Sequence, residues 1–226
     1  MKRNVVQLFI LLGLLLIGAG MYRHCYPSQR IEQVPVAGSN SQTQQAQKSP
    51  QAGDLIFQTS LSQQSQAIQL ATGSRYSHCG IIFKEKDQLY VLEAVQPVKR
   101  TPLTEWIKRG KNEHYVIKRL KDAEKILTDS VINEMQKMGE AWEGKDYDLA
   151  FEWTDDKMYC SELIWKIYAR TTGIKIGKLE QLKDFDLSNE IVKNKLAERY
   201  GNRIPLDDTV ISPAAIYASK LLETVQ

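Results

Sequence analysis

Between Leu55 and Leu120 this chain is written in short β-rich segments, and beyond Asp122 it is written in amphipathic helices. Strands grouped first and helices grouped afterwards do not interleave into a βαβ array. The order therefore predicts an α+β fold, an antiparallel sheet packed against helices. Gly53-Asp54 reads as a turn into a strand at Leu55–Phe57. Further strands are expected at Ser77–Lys84, Gln88–Val95, Val98–Thr101 and His114–Leu120. Two short helices interrupt them. One covers Ser62–Ala71 and ends at Gly73; the other opens with Thr101 as N-cap and Pro102 at the first helical position, and finishes before Gly110. The first long helix is expected over Asp122–Trp142, where Leu127, Val131 and Met135 recur every fourth residue. A second covers Tyr159–Arg170, with Leu163, Ile164, Ile167 and Tyr168 on one stripe. A third opens at Ser212-Pro213 and runs to about Leu222.

The N-terminus is of another kind. Met1-Lys2-Arg3-Asn4 is a short positive start, and Val5–Ala19 is apolar apart from Gln7. This is the pattern of an export signal. It is short for a membrane span, which needs about 20 residues. Residues 1–22 are expected to be a cleaved signal peptide or an uncleaved anchor, with residues 5–21 as the tether. Residues 37–52 hold no large apolar residue, and residues 23–52 read as a flexible linker. Residues 53–226 are the globular domain. The protein is expected to be exported to the periplasm or cell envelope. With 42% hydrophobic and 25% charged residues, a disordered chain, a collagen-like rod and a multi-span membrane protein are excluded. The formal charge is +3, and Lys2 and Arg3 lie in the leader, so the domain makes no general electrostatic case for nucleic acid.

Chemistry points to Met158-Tyr159-Cys160-Ser161-Glu162. Cys160 stands where an Asp-bearing loop gives way to a helix. A thiol at a helix N-terminus feels the positive end of the macrodipole, which favours the nucleophilic thiolate. Read alone, a cysteine on a helix is as well explained by packing. The hairpin supplies a second element. With Lys86-Asp87 as its turn, Gly80 pairs with Glu93 and Ile82 with Val91, so His78 and Glu93 share a face as a diagonal pair. A carboxylate there can orient the imidazole toward a thiol. Gly80, between them, would leave room for the helix carrying Cys160. Cys79 points to the opposite face, which fits small back-face packing. His78 and Cys79 therefore cannot easily share a metal ion, and His24-Cys25 lies in the delivery segment ahead of the domain, so no metal is expected. His114 is expected as a surface strand histidine. Asp146, Asp148, Asp155 and Asp156 form either a solvated acidic loop or an attraction for a cationic group. Tyr76, Tyr159 and Trp153 are candidates for pocket lining or for core.

Gly53-Asp54-Leu55-Ile56-Phe57, Ser77-His78-Cys79-Gly80-Ile81, Leu92-Glu93-Ala94, Tyr147-Asp148 and Tyr159-Cys160-Ser161-Glu162-Leu163 stand in that order. Together with Ile204-Pro205 and Ile211-Ser212-Pro213 they resemble the YiiX-like branch of the permuted NlpC/P60 cysteine peptidases, over about residues 53–226. The resemblance implies a circularly permuted papain-like (NlpC/P60) fold, with His before Cys in the chain. It also implies Cys160 as nucleophile, His78 as base and Glu93 as orienting acid. Cys79 departs from the aliphatic residue more usual there. The implied reaction cleaves an amide, in a cell-wall peptide or an N-acyl amine or amino acid, through an acyl-enzyme and without a cofactor. Two alternatives remain open: a lipid-directed thioesterase, phospholipase or acyltransferase on the same fold, or a non-catalytic envelope-binding module. A long apolar groove beside Cys160 would favour lipid, a short polar one peptide.

Overall fold

The computed structural model describes residues 49–225. The expected leader and nearly all of the expected linker lie outside the described residues. Among the described residues no helix is long and apolar enough to cross a membrane.

The strands are β1 (Leu55–Ser60), β2 (His78–Glu85), β3 (Gln88–Glu93), β4 (Lys99–Pro102), β5 (Gly110–Leu120), β6 (Glu180–Gln181), β7 (Thr209–Val210) and β8 (Leu222–Thr224). The helices are α1 (Ser65–Thr72), α2 (Leu103–Lys108), α3 (Ala123–Ile126), α4 (Asp129–Trp142), α5 (Cys160–Thr172), α6 (Glu190–Tyr200) and α7 (Pro213–Tyr217). Six strands form one sheet in the order β4-β3-β2-β1-β5-β8, and every neighbouring pair is antiparallel. β6 and β7 form a separate small ribbon. The expected α+β architecture is borne out. So is the hairpin register: Ile82 pairs with Val91 and Ile81 with Leu92, as a two-residue turn at Lys86-Asp87 requires.

Alternation along the strands divides the core in two. Leu55, Phe57, Cys79, Ile81, Phe83 and Leu92 face the long helices and pack on Met135, Leu163, Ile164 and Ile167. Ile56, Ile82, Val91 and Ile117 face the other way and are closed by Trp106 of α2. Arg119 of β5 clamps Asp54 with two hydrogen bonds, at 2.7 and 2.8 Å, fixing β5 against the entry to β1. A third, smaller cluster joins α1 to α6 through Ala67, Val192 and Leu196, with Leu182 beside them.

Several elements differ from expectation. The helix expected over Asp122–Trp142 breaks after Ile126, and α4 restarts with Thr128 as its N-cap, accepting from Val131 N at 3.4 Å. A capping hydroxyl stops one helix and starts the next without disturbing the apolar spacing. Pro102, not Thr101, is the N-cap of α2, and Thr101 stays in β4. The third expected helix stops at Tyr217, and Leu222–Thr224 instead joins the sheet beside β5. Helix α6 was not expected: it buries only Val192 and Leu196, too few for a helical stripe to stand out.

Candidate active site

Cys160 is the first residue of α5. The preceding Tyr159 is extended, and its backbone N–H donates to Glu162 Oε2 at 3.3 Å, which pins the first turn. The strand-like segment at Ile211 clamps the same turn from outside. Ile211 N donates to the Tyr159 hydroxyl at 3.1 Å, and the Ser161 hydroxyl donates to Ile211 O at 2.7 Å. The thiol is thus held at a helix N-terminus whose first N–H groups have no intrahelical acceptor.

His78 opens β2, and its Nε2 lies 2.6 Å from Glu93 Oε2. Trp106 stacks on the ring at 5.8 Å. Glu93 ends β3 and is fully buried, but both carboxylate oxygens have partners. Thr101 Oγ1 donates to Oε1 at 2.6 Å, and Arg109 donates to the same oxygen. Cys160 is the other side chain that acts on the His78 ring. With Nε2 on Glu93, Nδ1 is the nitrogen left for the thiol.

Electrostatics follow from this chain of contacts. Burial works against a charged His78, yet its hydrogen bonds to Cys160 and Glu93 outweigh it and hold the imidazole up at about 10. Burial likewise works against ionised Glu93, and the His78 contact outweighs it, leaving the carboxyl at about 2. Cys160 is held well below the ordinary thiol range. The hydrogen bond from the Cys79 thiol contributes most, burial opposes it, and His78 adds to it. The arrangement stabilises a thiolate–imidazolium pair with a carboxylate behind it.

The structure brings Cys160, His78 and Glu93 together, but not by the expected approach. α5 does not pack on the face of Gly80. It packs on the opposite face, against Cys79, Ile81 and Phe83. Gly80 is needed instead by the hairpin: a Cβ there would lie 2.3 Å from Val91 Cγ1 and 2.8 Å from Leu92 O. The thiol still meets His78 because His78 lies beyond the last β2–β3 pair, at the end of the sheet. Cys79 is packed on that same opposite face, fully buried in the core against α5, as expected.

Other expected candidates lie elsewhere or are occupied. His114 is half-buried, stacked on Tyr76 at 6.4 Å. Asp148 is buried and accepts from Ala150 N, while Asp155 takes Lys166 at 2.9 Å and Arg170 at 2.6 Å. Asp146 accepts from Gln96. Asp146 and Asp156 are exposed and take part in no ion pair among the described residues. The acidic residues therefore brace the loop rather than converge on a cation. Trp153 packs on Trp165, Tyr76 is core, and Tyr159 is core that also lines a cavity.

Two cavities share a wall, one lined by Cys160 and the other by His78. One, of about 100 Å³, is apolar: Ile68, Phe151, Leu182, Leu196 and Val210 line it with Cys160. The other, of about 700 Å³, is polar and includes Ser77, His78, Gln96, Arg109 and Glu198. Gln64, Tyr147, Lys195 and Arg199 border both. Lys195 is paired with Glu198. Arg199, half-buried, contacts neutral groups: it donates to Gln64 Oε1 and lies 4.7 Å above the Phe151 ring. Arg109, Thr101 and Arg199 were not singled out by sequence. Arg109 follows a short helix and Arg199 sits on the helix that sequence does not reveal.

A thiol at a helix N-terminus, beside an imidazole from an upstream strand, is the architecture of a papain-like hydrolase with its halves in permuted order. The family described as "Permuted papain-like amidase enzyme, YaeF/YiiX, C92 family" matches residues 49–226, and the chain belongs to it. It is therefore a cysteine hydrolase of amidase type. YiiX of Escherichia coli K-12 is 46% identical over 176 residues, 78% of this chain and 86% of that protein. The crystal structure of the metalloprotein YiiX from Escherichia coli O157:H7 superposes with a TM-score of 0.75 at 46% identity, covering 78% of this chain and 97% of that one. A metal does not fit the donors present here. Among the described residues no group of three His, Cys, Asp or Glu is arranged to hold one, and both Glu93 oxygens are already taken.

Proposed function

We propose that the chain hydrolyses N-acyl amino acids or related N-acyl amines, with Cys160 as nucleophile, His78 as acid and base, and Glu93 as the group that orients His78. The observation that carries this reading is the apolar pocket that ends at Cys160. About 100 Å³ of apolar space is enough to take up a hydrocarbon chain and too little for a folded peptide. A cell-wall peptide has no such apolar group to place there.

The acyl chain enters this pocket and brings its carbonyl carbon to Cys160 Sγ. The thiolate attacks, and the carbonyl electron pair moves to oxygen. The first N–H groups of α5 face that oxyanion, and so does the hydroxyl of Tyr147, which accepts from Gln64 and so keeps its own proton to give. His78 protonates the amine nitrogen as the C–N bond breaks. The amine leaves through the polar cavity. A carboxylate on it finds Arg199, a guanidinium whose partners are neutral. His78 then takes a proton from water, which attacks the thioester and releases the acid. Arg109 and Thr101 hold Glu93, and Glu93 holds the ring. The domain acts outside the cytoplasm, delivered by residues 1–22 and spaced from the membrane by residues 23–52.

The test is a panel of N-acyl amino acids of graded chain length, muropeptides and phospholipids, with Cys160→Ala as control. Release of free amino acid, best at medium chain length and absent in the control, is expected. Turnover of muropeptides alone would overturn the acyl reading. Turnover of phospholipids alone would keep the pocket but change the bond cleaved.

A further inference from the structure

Gln64 stands where a helix-capping residue belongs and does not cap. It is the N-cap of α1, a position that favours Ser, Thr, Asp or Asn, whose short side chains accept from the first backbone N–H groups. The Gln64 side chain makes no such bond. It borders both cavities instead, where its Nε2 donates to the Tyr147 hydroxyl at 2.8 Å and its Oε1 accepts from Arg199. Tyr147 is brought to the start of α5 by a backbone bridge to Met158, just ahead of Cys160. Arg199 is steadied by the Phe151 ring, 4.7 Å beneath its guanidinium.

These bonds run in one direction. A guanidinium has donors and no acceptor, so Arg199 demands the oxygen of Gln64. Only the amide –NH₂ then remains for Tyr147, and a hydroxyl that receives from Gln64 does not spend its single proton on it. We propose that Gln64 is a positioning residue: held by Arg199, it fixes the Tyr147 hydroxyl so that its proton faces the oxyanion formed at Cys160. A donor aimed before the reaction starts costs no reorganisation when the charge appears. Without Gln64 the hydroxyl rotates, and with a carboxylate in its place the hydroxyl turns its proton the wrong way. The chain of bonds acts on kcat and leaves KM for an N-acyl amine unchanged. The inference deepens the proposed reaction and rests on its use of Tyr147, but not on the identity of the amine.

The test compares two replacements in the full chain. Gln64→Glu keeps the size of the side chain and offers only acceptors; kcat for an N-acyl amine without a carboxylate should fall by roughly 10²–10³, the cost of one oxyanion donor, with KM held. Gln64→Met removes both hydrogen bonds without capturing the proton and should cost less. A residue that merely braced the wall would give the reverse order. Tyr147→Phe should match Gln64→Glu, and the double variant should be no worse than Tyr147→Phe alone. Iodoacetamide, which forms no oxyanion, should label Cys160 at the parental rate in every variant. A second probe needs no amide bond: octanal, to whose carbonyl carbon the Cys160 sulfur bonds as the C=O pair moves to oxygen and takes a proton from His78. Its dissociation constant, read as protection from iodoacetamide, should rise by roughly 5–10-fold in Gln64→Glu, the worth of one hydrogen bond. A parental kcat in Gln64→Glu, a larger loss in Gln64→Met, or an octanal constant unmoved by Gln64→Glu would overturn the inference while leaving the proposed substrate standing. A parent that cleaves no N-acyl amine, with the octanal constant shifted as expected, would sink the proposed substrate and keep the inference.

Discussion

The two adjoining cavities, one reaching Cys160 and the other His78, differ in wall, size and charge. The smaller is closed by α1, α6 and the Ile211 segment and offers side chains such as Ile68, Leu196 and Val210. The larger lies over the end of the sheet and offers hydroxyls, amides and guanidinium groups. An enzyme that cut a uniform polymer would have similar walls on both sides of the scissile bond. Unlike walls suit a substrate whose two halves are unlike, one driven in by the hydrophobic effect and the other held by charge. Only four residues, Gln64, Tyr147, Lys195 and Arg199, border both sides, so the halves can be perturbed separately.

A change at the junction should hit every substrate alike and hit hardest. His78→Ala removes the proton relay, and kcat should fall by roughly 10²–10⁴ whichever acyl chain or amine is used. The same variant separates electrostatics from packing. In the parent, iodoacetamide should label Cys160 rapidly well below pH 8, because the thiolate is already formed; in His78→Ala the labelling midpoint should move up. The alkaline limb of turnover should belong to His78, with activity lost as pH rises through about 10 and the imidazolium disappears. A parent midpoint at an ordinary thiol value, unmoved by His78→Ala, would break the picture.

Filling the apolar side should be selective. Ile68→Trp places a large ring in the smaller cavity. kcat/KM for a medium-chain N-acyl amino acid should drop by roughly 10–200-fold, while the N-acetyl analogue changes little. Equal losses for both would mean that the acyl chain lies elsewhere.

The polar side should respond more mildly. Arg199→Met keeps the stem over Phe151 and removes the charge. A hydrogen bond to a charged group is worth about 1.5–3 kcal/mol, so KM for an N-acyl amino acid should rise by roughly 10–150-fold. The matching N-acyl amine without a carboxylate should be unaffected. If both substrates suffer equally, Arg199 braces the wall and does not read the leaving group.

What was legible in the sequence follows the same division. The junction could be read because a tight turn at Lys86-Asp87 fixes pairing over the whole hairpin, and one register places His78 beside Glu93. Cys160 could be read because a helix start is a local signal. Period-two alternation tells which side chains share a face, but not which face a distant helix will choose. That is why Gly80 was assigned the wrong neighbour, while α5 packs on the face of Cys79 and Ile81. The apolar cavity was illegible for another reason. Its wall gathers α1, the Leu182 turn, α6 and β7, each contributing one or two buried side chains, so no single window carries an apolar pattern. Arg109 was invisible because nothing local marks the residue after a six-residue helix as the partner of Glu93.

The order in which the sheet closes has a consequence for biosynthesis. β5 ends at Leu120, and the strand that covers it, Leu222–Thr224, is made long after it, with Val225 N donating to Ile117 O just beyond. Until that strand has emerged from the ribosome, β5 keeps a row of bare N–H and C=O groups along one side. Such an edge is a template for pairing with another copy of the chain. A stalled or proteolytically trimmed product would therefore be prone to aggregate, even though every residue of the chemical site had already been made.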